Sequence, residues 1–173
     1  MNNKYINANE KDQLIRDVVI RQLKVHKDES GLLFETLRRD WPDVYGDGDM
    51  PFAMQYMSVT PSGQIRDREM WHVHQKQKDR FICAYGTIVT ALYDARSNSP
   101  TFGKLNLFVQ SPEKAEQMFM VVIPENVYHG FMVVSHEPGH LLNFPTQLYT
   151  GEDEVRQKNT LFNWDYLKDD FGL

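Results

Sequence analysis

Two histidines separated by one residue stand in the segment WHVHQKQKDRF, residues 71–81. If this segment is a strand, His72 and His74 share one face, because successive side chains alternate along a strand. Trp71 and Val73 then share the opposite face. Two imidazoles that look into the same space suit a metal site, a proton-transfer site or a hydrogen-bonded pair in a polar core. An imidazole changes charge near neutral pH, so it can remove a proton at working pH with little adjustment.

Short apolar runs broken by turn residues fill the chain from Val18 onward. Many short strands with few helical periods between them predict an all-β fold, a sandwich or a closed jelly-roll barrel. Residues 1–17 are predicted to form an N-terminal arm, and residues 159–173 a terminal helix or a flap over the barrel. The polar segment 151–158 is predicted to be a solvated surface. Predicted strands lie in VVIRQLKV, LLFETL, FAMQYMSVT, FICA and TIVTALY around Gly86, KLNLFVQ, MFMVVIP, GFMVVS and LLNFP.

Length and composition narrow the class of protein. The 173 residues suit one domain, and the formal net charge of −5 argues against a nucleic acid polymer as partner. No apolar run approaches the roughly 20 residues that span a bilayer, which predicts no membrane partner. The polar N-terminus lacks the apolar core of a secretory signal, so a cytoplasmic protein is expected. The single cysteine, Cys83, lies in an apolar run and is predicted to be buried and unreactive.

Four separated stretches resemble one family in order and spacing. They are DESGLLFE (28–35), DARSNSPTFG (94–103), IPENVYHGFMVVS (123–135) and FNWD (162–165). They are similar to the dTDP-4-dehydrorhamnose 3,5-epimerases and their relatives among the cupins. The resemblance implies a cupin double-stranded β-helix barrel over residues 18–173, usually a homodimer. It also implies an enzyme of deoxysugar or surface polysaccharide biosynthesis that binds a nucleotide-linked 4-keto-6-deoxy sugar and moves protons beside the ketone without a metal or other cofactor.

The resemblance assigns the catalytic roles. His72 matches the family's histidine base, which removes the proton next to the ketone. Asp165 in FNWD matches the carboxylate that holds this imidazole, and Asp79 is a local alternative to it. His74 and His129 are expected to contact the sugar.

The proton donor stays open at this point. Asn143 stands where the family has a tyrosine, and an amide cannot donate a proton as a phenol does. Tyr56, Tyr128 and Tyr149 are the alternatives. Phe34 and Glu35 match positions at the nucleotide end of the family's site, although ordinary strand roles explain them equally well. The substrate contacts predicted in all are Phe34, Glu35, Gln55, Arg66, Arg68, Tyr128, Asn143 and Tyr149.

The H-x-H pair also resembles that of the sugar-nucleotide 3,4-ketoisomerases, which shuttle a proton between neighbouring carbons. Two alternatives to such metal-free chemistry remain. Metal cupins carry an H-x-H pair, a glutamate after three to four intervening residues and a P-x-G-x-x-H segment. Here His72, His74, Gln77 and His129 would bind a divalent metal ion in an oxygenase or isomerase, because neutral imidazoles are good ligands for such ions. The other alternative is a sugar-nucleotide-binding cupin that has lost its chemistry, which the replacement at Asn143 permits.

Overall fold

The computed structural model describes residues 5–6, 10–66 and 68–173, which form two five-stranded sheets and a separate two-stranded hairpin. Two 3₁₀ turns, Lys11–Gln13 and Ala115–Gln117, and one helix, α1 (Asp165–Phe171), complete the regular structure of these residues. The strands are β1 (Val19–Gln22), β2 (Val25–Asp28), β3 (Gly31–Phe34), β4 (Tyr56–Thr60), β5 (Met70–His74), β6 (Asp79–Tyr85), β7 (Ile88–Asp94), β8 (Leu105–Gln110), β9 (Phe119–Ile123), β10 (Val127–Val133), β11 (Gly139–Asn143) and β12 (Glu154–Lys158).

The strand order is that of a jelly roll. The first sheet has the order β1-β9-β6-β11-β4, the second has the order β12-β5-β10-β7-β8, and β2 pairs with β3. All these pairs are antiparallel. Most neighbours within a sheet are distant along the chain, because the chain crosses repeatedly from one sheet to the other. The prediction of an all-β, double-stranded β-helix barrel is confirmed.

Strand β9 shows why the barrel has apolar residues on both faces of its sheets. Phe119, Val121 and Ile123 belong to the cluster between the two sheets. Met120 and Val122 point the other way, into a cluster on the outer face of the first sheet. A continuous apolar run therefore marks a strand that is covered on both sides.

Helix α1 covers the outer face of the second sheet. Trp164 packs against Trp71 of β5 with ring centroids 5.9 Å apart, and Leu167 is buried in the same cluster. Phe162 meets Trp164 edge-to-face at 4.9 Å. The predicted terminal helix or flap is thus a helix, and its packing holds β5 from behind, on the face opposite the two histidines.

Gly86 makes the corner at which the chain passes from β6 in the first sheet to β7 in the second. Its φ is 72°, a left-handed conformation that glycine adopts without the cost of a Cβ atom. A Cβ here would lie 2.7 Å from both Pro138 O and Ser135 Oγ. The tight bend predicted around this residue is confirmed.

The segment DARSNSPTFG folds around a buried carboxylate. Asp94 accepts hydrogen bonds from Arg96 Nε at 2.9 Å, Ser99 Oγ at 2.6 Å and Thr101 Oγ1 at 2.6 Å. Arg96 also donates to Arg16 O at 2.7 Å, which ties the N-terminal segment to the loop. Burial raises the pKa of Asp94, but the hydrogen bonds outweigh it and hold the pKa below its ordinary value. The polar residues of this motif thus stabilise the loop that they form.

The segment 151–158, predicted to be a solvated surface, is mostly exposed, and part of it also forms a strand that the sequence did not predict. Glu154–Lys158 is strand β12, which pairs with β5 from Glu154↔His74 to Lys158↔Met70. An edge strand with mostly exposed polar side chains lacks the apolar alternation by which strands are recognised in a sequence. The strand matters for function, because β12 borders the two histidines.

Part of the predicted N-terminal arm, residues 1–4 and 7–9, lies outside the described residues. The rest contacts the barrel: Ile6 donates its backbone N–H to Leu107 O at 2.8 Å, and Ile15 is buried in the cluster between the sheets. The division of the chain at residue 17 stays a prediction. Within the described ranges, no helix has both the length and the apolar character needed to cross a membrane.

Candidate active site

A pocket of ≈ 450 Å³ lies between the two sheets. His72 and His74 line it from β5 and His129 lines it from β10. Trp71 and Val73 are buried on the other face of β5, so the predicted alternation is confirmed. The lining is completed by Met54, Tyr56, Ser58, Arg66, Gln77, Asp79, Phe81, Gly130, Phe131, Leu141, Tyr149, Glu154 and Arg156.

Asp79 lies between two of the three histidines. Its Oδ2 atom is 3.3 Å from His129 Nε2 and 3.5 Å from His74 Nε2. The two imidazoles stack with centroids 5.6 Å apart. His129 Nδ1 lies 3.1 Å from Val127 O, and because a carbonyl oxygen only accepts, this nitrogen carries the proton. The Nε2 atom of His129 is thereby turned toward Asp79.

The second oxygen of Asp79 is held by two amides. Gln77 Nε2 donates to Oδ1 at 2.7 Å, and Asn143 Nδ2 donates to the same atom at 2.8 Å. Burial raises the pKa of Asp79, but hydrogen bonding to His129, the charges of His129 and His74 and the bond from Asn143 lower it to about 2. Burial lowers the pKa of His74. At neutral pH the cluster therefore holds a carboxylate beside a neutral His74.

His72 is the most accessible of the three histidines. Its side chain is 22% exposed, against 11% for His74 and 5% for His129. Glu154 Oε1 of β12 lies 3.5 Å from His72 Nδ1, and Arg156 Nε donates to the same oxygen at 2.8 Å. A carboxylate beside one imidazole nitrogen favours a proton there, which leaves the other nitrogen to accept a proton from a substrate.

Asp153 fastens the turn after β5 to the start of β12. Its carboxylate accepts the backbone N–H groups of Gln75, Lys76 and Gln77 at 3.1, 2.9 and 3.0 Å. The same carboxylate lies 3.7 Å from His74 Nδ1. The polar segment that sequence analysis set aside thus positions two of the histidines.

The structure reduces the alternatives for a proton donor. Asn143 Nδ2 donates to the hydroxyl of Tyr56 at 3.0 Å, so a phenol does lie beside the position of the family's tyrosine. Burial raises the pKa of Tyr56 to about 12, which keeps the phenol protonated. Tyr149 also lines the pocket. Tyr128 instead faces outward and packs against Tyr93 at 6.3 Å.

Asp165 is not brought to the histidines. It begins α1, its side chain is 50% exposed, and it accepts a hydrogen bond from Arg68 at 2.6 Å. The hydrogen bond from Arg68 holds the pKa of Asp165 below its ordinary value. The helix therefore directs this carboxylate to Arg68 and not to His72, and neither Asp165 nor Arg68 lines the pocket. The carboxylates beside the histidines are Asp79, Asp153 and Glu154.

Three further predicted substrate contacts lie away from the pocket. Phe34 packs in the cluster on the outer face of the first sheet, and Glu35 pairs with Arg38 at 2.7 Å. Gln55 is exposed and does not line the pocket. Arg66 does line it. Of the expected substrate contacts, the structure thus brings Arg66, Tyr149 and Asn143 to the pocket or to its polar network.

The predicted ligand set His72, His74, Gln77 and His129 also needs correction. Among the described residues, the group of carboxylate and histidine donors whose atoms lie within 4.8 Å of one another is His74, Asp79 and His129. Gln77 uses its amide to hold Asp79. The sequence carried this signal, because four residues separate His74 from Asp79 whereas only two separate it from Gln77. The metal-cupin spacing of three to four residues therefore points to Asp79.

The sequence profile of the dTDP-4-dehydrorhamnose 3,5-epimerase family matches residues 12–164. The chain belongs to this family. Its similarity to the probable low-salt glycan biosynthesis epimerase of Haloferax volcanii is 39% identity over 145 residues, which cover 83% of this chain and 86% of that protein. As a member of this family the chain is an isomerase that acts on a carbohydrate.

Solved structures share the barrel. A dTDP sugar isomerase from Desulfovibrio desulfuricans superposes with a TM-score of 0.77 at 22% identity, covering 87% of this chain and 92% of that chain. The dTDP-6-deoxy-D-glucose-3,5-epimerase of Legionella pneumophila, solved in complex with dTDP-4-keto-L-rhamnose, superposes with a TM-score of 0.70 at 25% identity, covering 87% and 76%. The first similarity supports the fold, and the second adds an epimerase with a sugar nucleotide bound.

Proposed function

We propose that this member of the epimerase family inverts a carbon beside the ketone of a nucleotide-linked 4-keto-6-deoxy sugar, in deoxysugar or surface polysaccharide biosynthesis. The observation that carries the proposal is the match to the epimerase family over residues 12–164. Within the pocket, His72, which matches the family's base, is the most accessible histidine. A histidine beside a ketone can break the adjacent C–H bond, because the electron pair moves onto the carbonyl oxygen as an enolate.

His72 is the base in this mechanism. It takes the proton from the carbon, and Glu154 orients the imidazole and stabilises the cation that forms. The role that the resemblance gave to Asp165 passes to Glu154, because Glu154 Oε1 lies 3.5 Å from His72 Nδ1. His74 and His129 face the sugar from deeper in the pocket.

Tyr56 is the donor that returns a proton to the opposite face of the carbon. Its hydroxyl is hydrogen-bonded to the amide that replaces the family's tyrosine, and its raised pKa keeps it protonated although the residue is 42% exposed. Tyr149, which is 69% exposed at the pocket, is the alternative donor. Transfer of the carbon-bound proton to His72 and of a phenolic proton to the carbon leaves the sugar with the same composition and an inverted centre.

Two arginines are placed to bind the diphosphate. Arg66 and Arg156 both line the pocket, and a guanidinium group can donate two parallel hydrogen bonds to a phosphate. The pocket volume of ≈ 450 Å³ falls within the range of about 300–1,000 Å³ that is usual for small-molecule sites. The proton transfers require no redox cofactor.

We also propose that the protein is a cytoplasmic homodimer. Edge strand β4 supports the dimer, because Met57 and Val59 are 53% and 52% exposed on one face of it. Such a strand can pack against a second copy of the chain. Light scattering of the purified protein should give twice the mass of the chain, and a monomeric mass would contradict the dimer without affecting the pocket chemistry.

Incubation with dTDP-linked 4-keto-6-deoxy sugars in heavy water tests the reaction. We expect deuterium at one or both carbons that flank the ketone, read by mass spectrometry and proton NMR. Binding without any exchange, seen by calorimetry, would instead identify a sugar-nucleotide-binding protein without chemistry. Neither binding nor exchange across the panel of sugars would contradict the proposed substrate class.

A further inference from the structure

The deepest part of the pocket is a cluster whose donor atoms converge on one point. Both His74 Nε2 and His129 Nε2 face Asp79 Oδ2, at 3.5 and 3.3 Å. The other carboxylate oxygen, Oδ1, is occupied by amide N–H groups from Gln77 and Asn143. One oxygen is thus held in place by its surroundings while the other is left to the two imidazoles.

The far side of each imidazole faces an acceptor. His129 Nδ1 donates to Val127 O at 3.1 Å, and His74 Nδ1 is a buried atom 3.7 Å from Asp153 Oδ2. With protons on the Nδ1 atoms, both Nε2 lone pairs are directed at Asp79 Oδ2, and His74 Nε2 also lies 3.3 Å from the amide nitrogen of Gln77. Lone pairs facing an anion repel it, so a positive charge, either a proton on an imidazole or a metal ion, would stabilise the arrangement. Histidine ligands of metals commonly donate the remaining ring N–H in this way.

The distances agree with a shared ion. Zinc lies about 2.0–2.1 Å from imidazole nitrogens, and tetrahedral ligands at that radius lie about 3.3 Å apart. The two measured separations from Asp79 Oδ2 are 3.3 and 3.5 Å, and all three donor atoms lie within 4.8 Å of one another. Little movement is needed to close the three donors around one ion.

We propose that His74, Asp79 and His129 form a binding site for a divalent transition-metal ion. Two neutral imidazoles and one carboxylate suit Zn²⁺, Mn²⁺ or Fe²⁺ and leave further coordination positions open. Because the cluster lines the pocket, these positions face a bound ligand. This departs from the metal-free chemistry that the family resemblance implied.

The ion has a role in the proposed epimerisation, and this part of the inference rests on that function. Removal of the proton by His72 places negative charge on the ketone oxygen. The buried carboxylate of Asp79 alone would oppose that charge, whereas an ion held by it would accept the oxygen and stabilise the enolate. His72 is then the base, and the cluster supplies the electrophile.

Metal binding is tested without any substrate. Tag-free protein, stripped with a chelator and dialysed, is titrated with Zn²⁺ and separately with Mn²⁺ by calorimetry, and Co²⁺ is added to record its visible absorption. We expect one ion per chain and a cobalt spectrum with nitrogen and oxygen ligands. No uptake of any of the three ions would overturn the proposal.

Variants show whether the ion lies at this cluster. Asp79→Asn keeps the shape of the side chain and removes the charge, and it should weaken binding by more than the roughly 10–100-fold expected for loss of an outer partner. His74→Gln is the second variant in case Asp79→Asn fails to fold, as judged by thermal unfolding. His26→Asn, on exposed strand β2, should bind as wild type does. Equal binding by wild type and both cluster variants would show surface binding and overturn the site.

The outcomes separate this inference from the proposed function. If the protein binds the ion and exchanges no deuterium into any sugar nucleotide, the metal site stands and the epimerisation fails. If the stripped protein exchanges deuterium at the full rate in chelator, the ion has no part in the reaction and its catalytic role is overturned.

Discussion

Asp94 shows how much of the family's sequence signature serves the fold at the level of single residues. Its carboxylate accepts hydrogen bonds from one arginine and two hydroxyl groups and is fully buried. None of these bonds involves the pocket between the sheets. The motif DARSNSPTFG, although it is part of the family's sequence signature, therefore supplies no reacting group to the pocket. Its arginine, Arg96, stabilises the loop.

We expect Asp94→Asn to lower the free energy of unfolding by about 3 kcal/mol, as for loss of one partner in a buried ion pair. Because the folded chain holds the pKa of Asp94 below its ordinary value, the stabilisation is present above about pH 4 and is lost as pH falls further. Urea unfolding of both proteins from about pH 7 down to about pH 3 measures this. The difference should shrink with acid, while exposed Asp169→Asn should change little at any pH.

Glu154 is the residue that most changes the account of the site relative to the sequence. We expect Glu154→Gln to reduce kcat by about 10-fold or more with little change in KM, because the base retains its position in the pocket but loses its orienting charge. Steady-state kinetics with the active sugar nucleotide measures both constants. Glu152→Gln, on the same segment but exposed, is the control. An unchanged kcat in Glu154→Gln would remove Glu154 from the mechanism.

At the level of elements, β12 closes one side of the pocket through few contacts. It pairs with β5 alone, and Asp153 ties its start to the turn after β5 through three backbone N–H groups. An edge strand of this kind opens more readily than the central strands. Its opening would expose His72 and His74 to solvent.

We expect Asp153→Ala to speed hydrogen exchange at the amides of residues 75–77 and to lower the free energy of unfolding by about 1–3 kcal/mol. The physical reason is that three backbone donors, of which that of Gln77 is half-buried, lose a charged acceptor. Hydrogen exchange followed by mass spectrometry gives the local effect. Glu152→Ala serves as the control, and equal protection in the two variants would contradict the role of Asp153.

The corner at Gly86 connects the two sheets and allows a matched test. Gly86→Ala places a Cβ atom 2.7 Å from a backbone oxygen in a left-handed conformation, whereas Gly63→Ala has a similar φ of 68° and nothing within 4 Å. Both variants carry the backbone cost of about 1–3 kcal/mol, and only the first adds a collision. Thermal unfolding should therefore rank Gly86→Ala well below Gly63→Ala. Equal stabilities would show that the corner can relax.

The elements that the sequence predicted best are those with strong apolar patterns. The strands at residues 79–85, 88–94 and 119–123 carry continuous apolar runs, and they form the centre of the two sheets. Strand β12 lacks such a run and was missed. The helix at residues 165–171 was foreseen only as a helix or a flap, and its direction, which carries Asp165 to Arg68, depends on how Trp164 packs against Trp71. The motif FNWD alone therefore does not predict which way Asp165 points.

On the scale of the whole molecule, the site is assembled from strands that are far apart in the chain. β5 and β6 supply His72, His74 and Asp79, β10 supplies His129 and β12 supplies Glu154. The spacing of the two nearby histidines predicted their shared face from local geometry alone. The positions of His129 and Glu154 beside them require the strand order of the second sheet, β12-β5-β10, which only the three-dimensional structure provides.

The pocket contains arginines although the chain as a whole is acidic. The chain has a formal net charge of −5, which disfavours a polyanionic partner, yet Arg66 and Arg156 line the pocket. A single diphosphate needs only such a local pair of guanidinium groups. The whole-chain charge and the proposed sugar-nucleotide substrate are therefore compatible.

The central claim is that His72, and not a group associated with Asp165, removes the proton beside the ketone. The most direct test is the rate of deuterium entry from heavy water into the same 4-keto sugar nucleotide for wild type, His72→Asn and Asp165→Asn, each shown to be folded by thermal unfolding. We predict that His72→Asn slows exchange by about 10²–10⁴-fold, as for loss of a general base, while Asp165→Asn exchanges as wild type does. Exchange at the wild-type rate in His72→Asn would contradict the account.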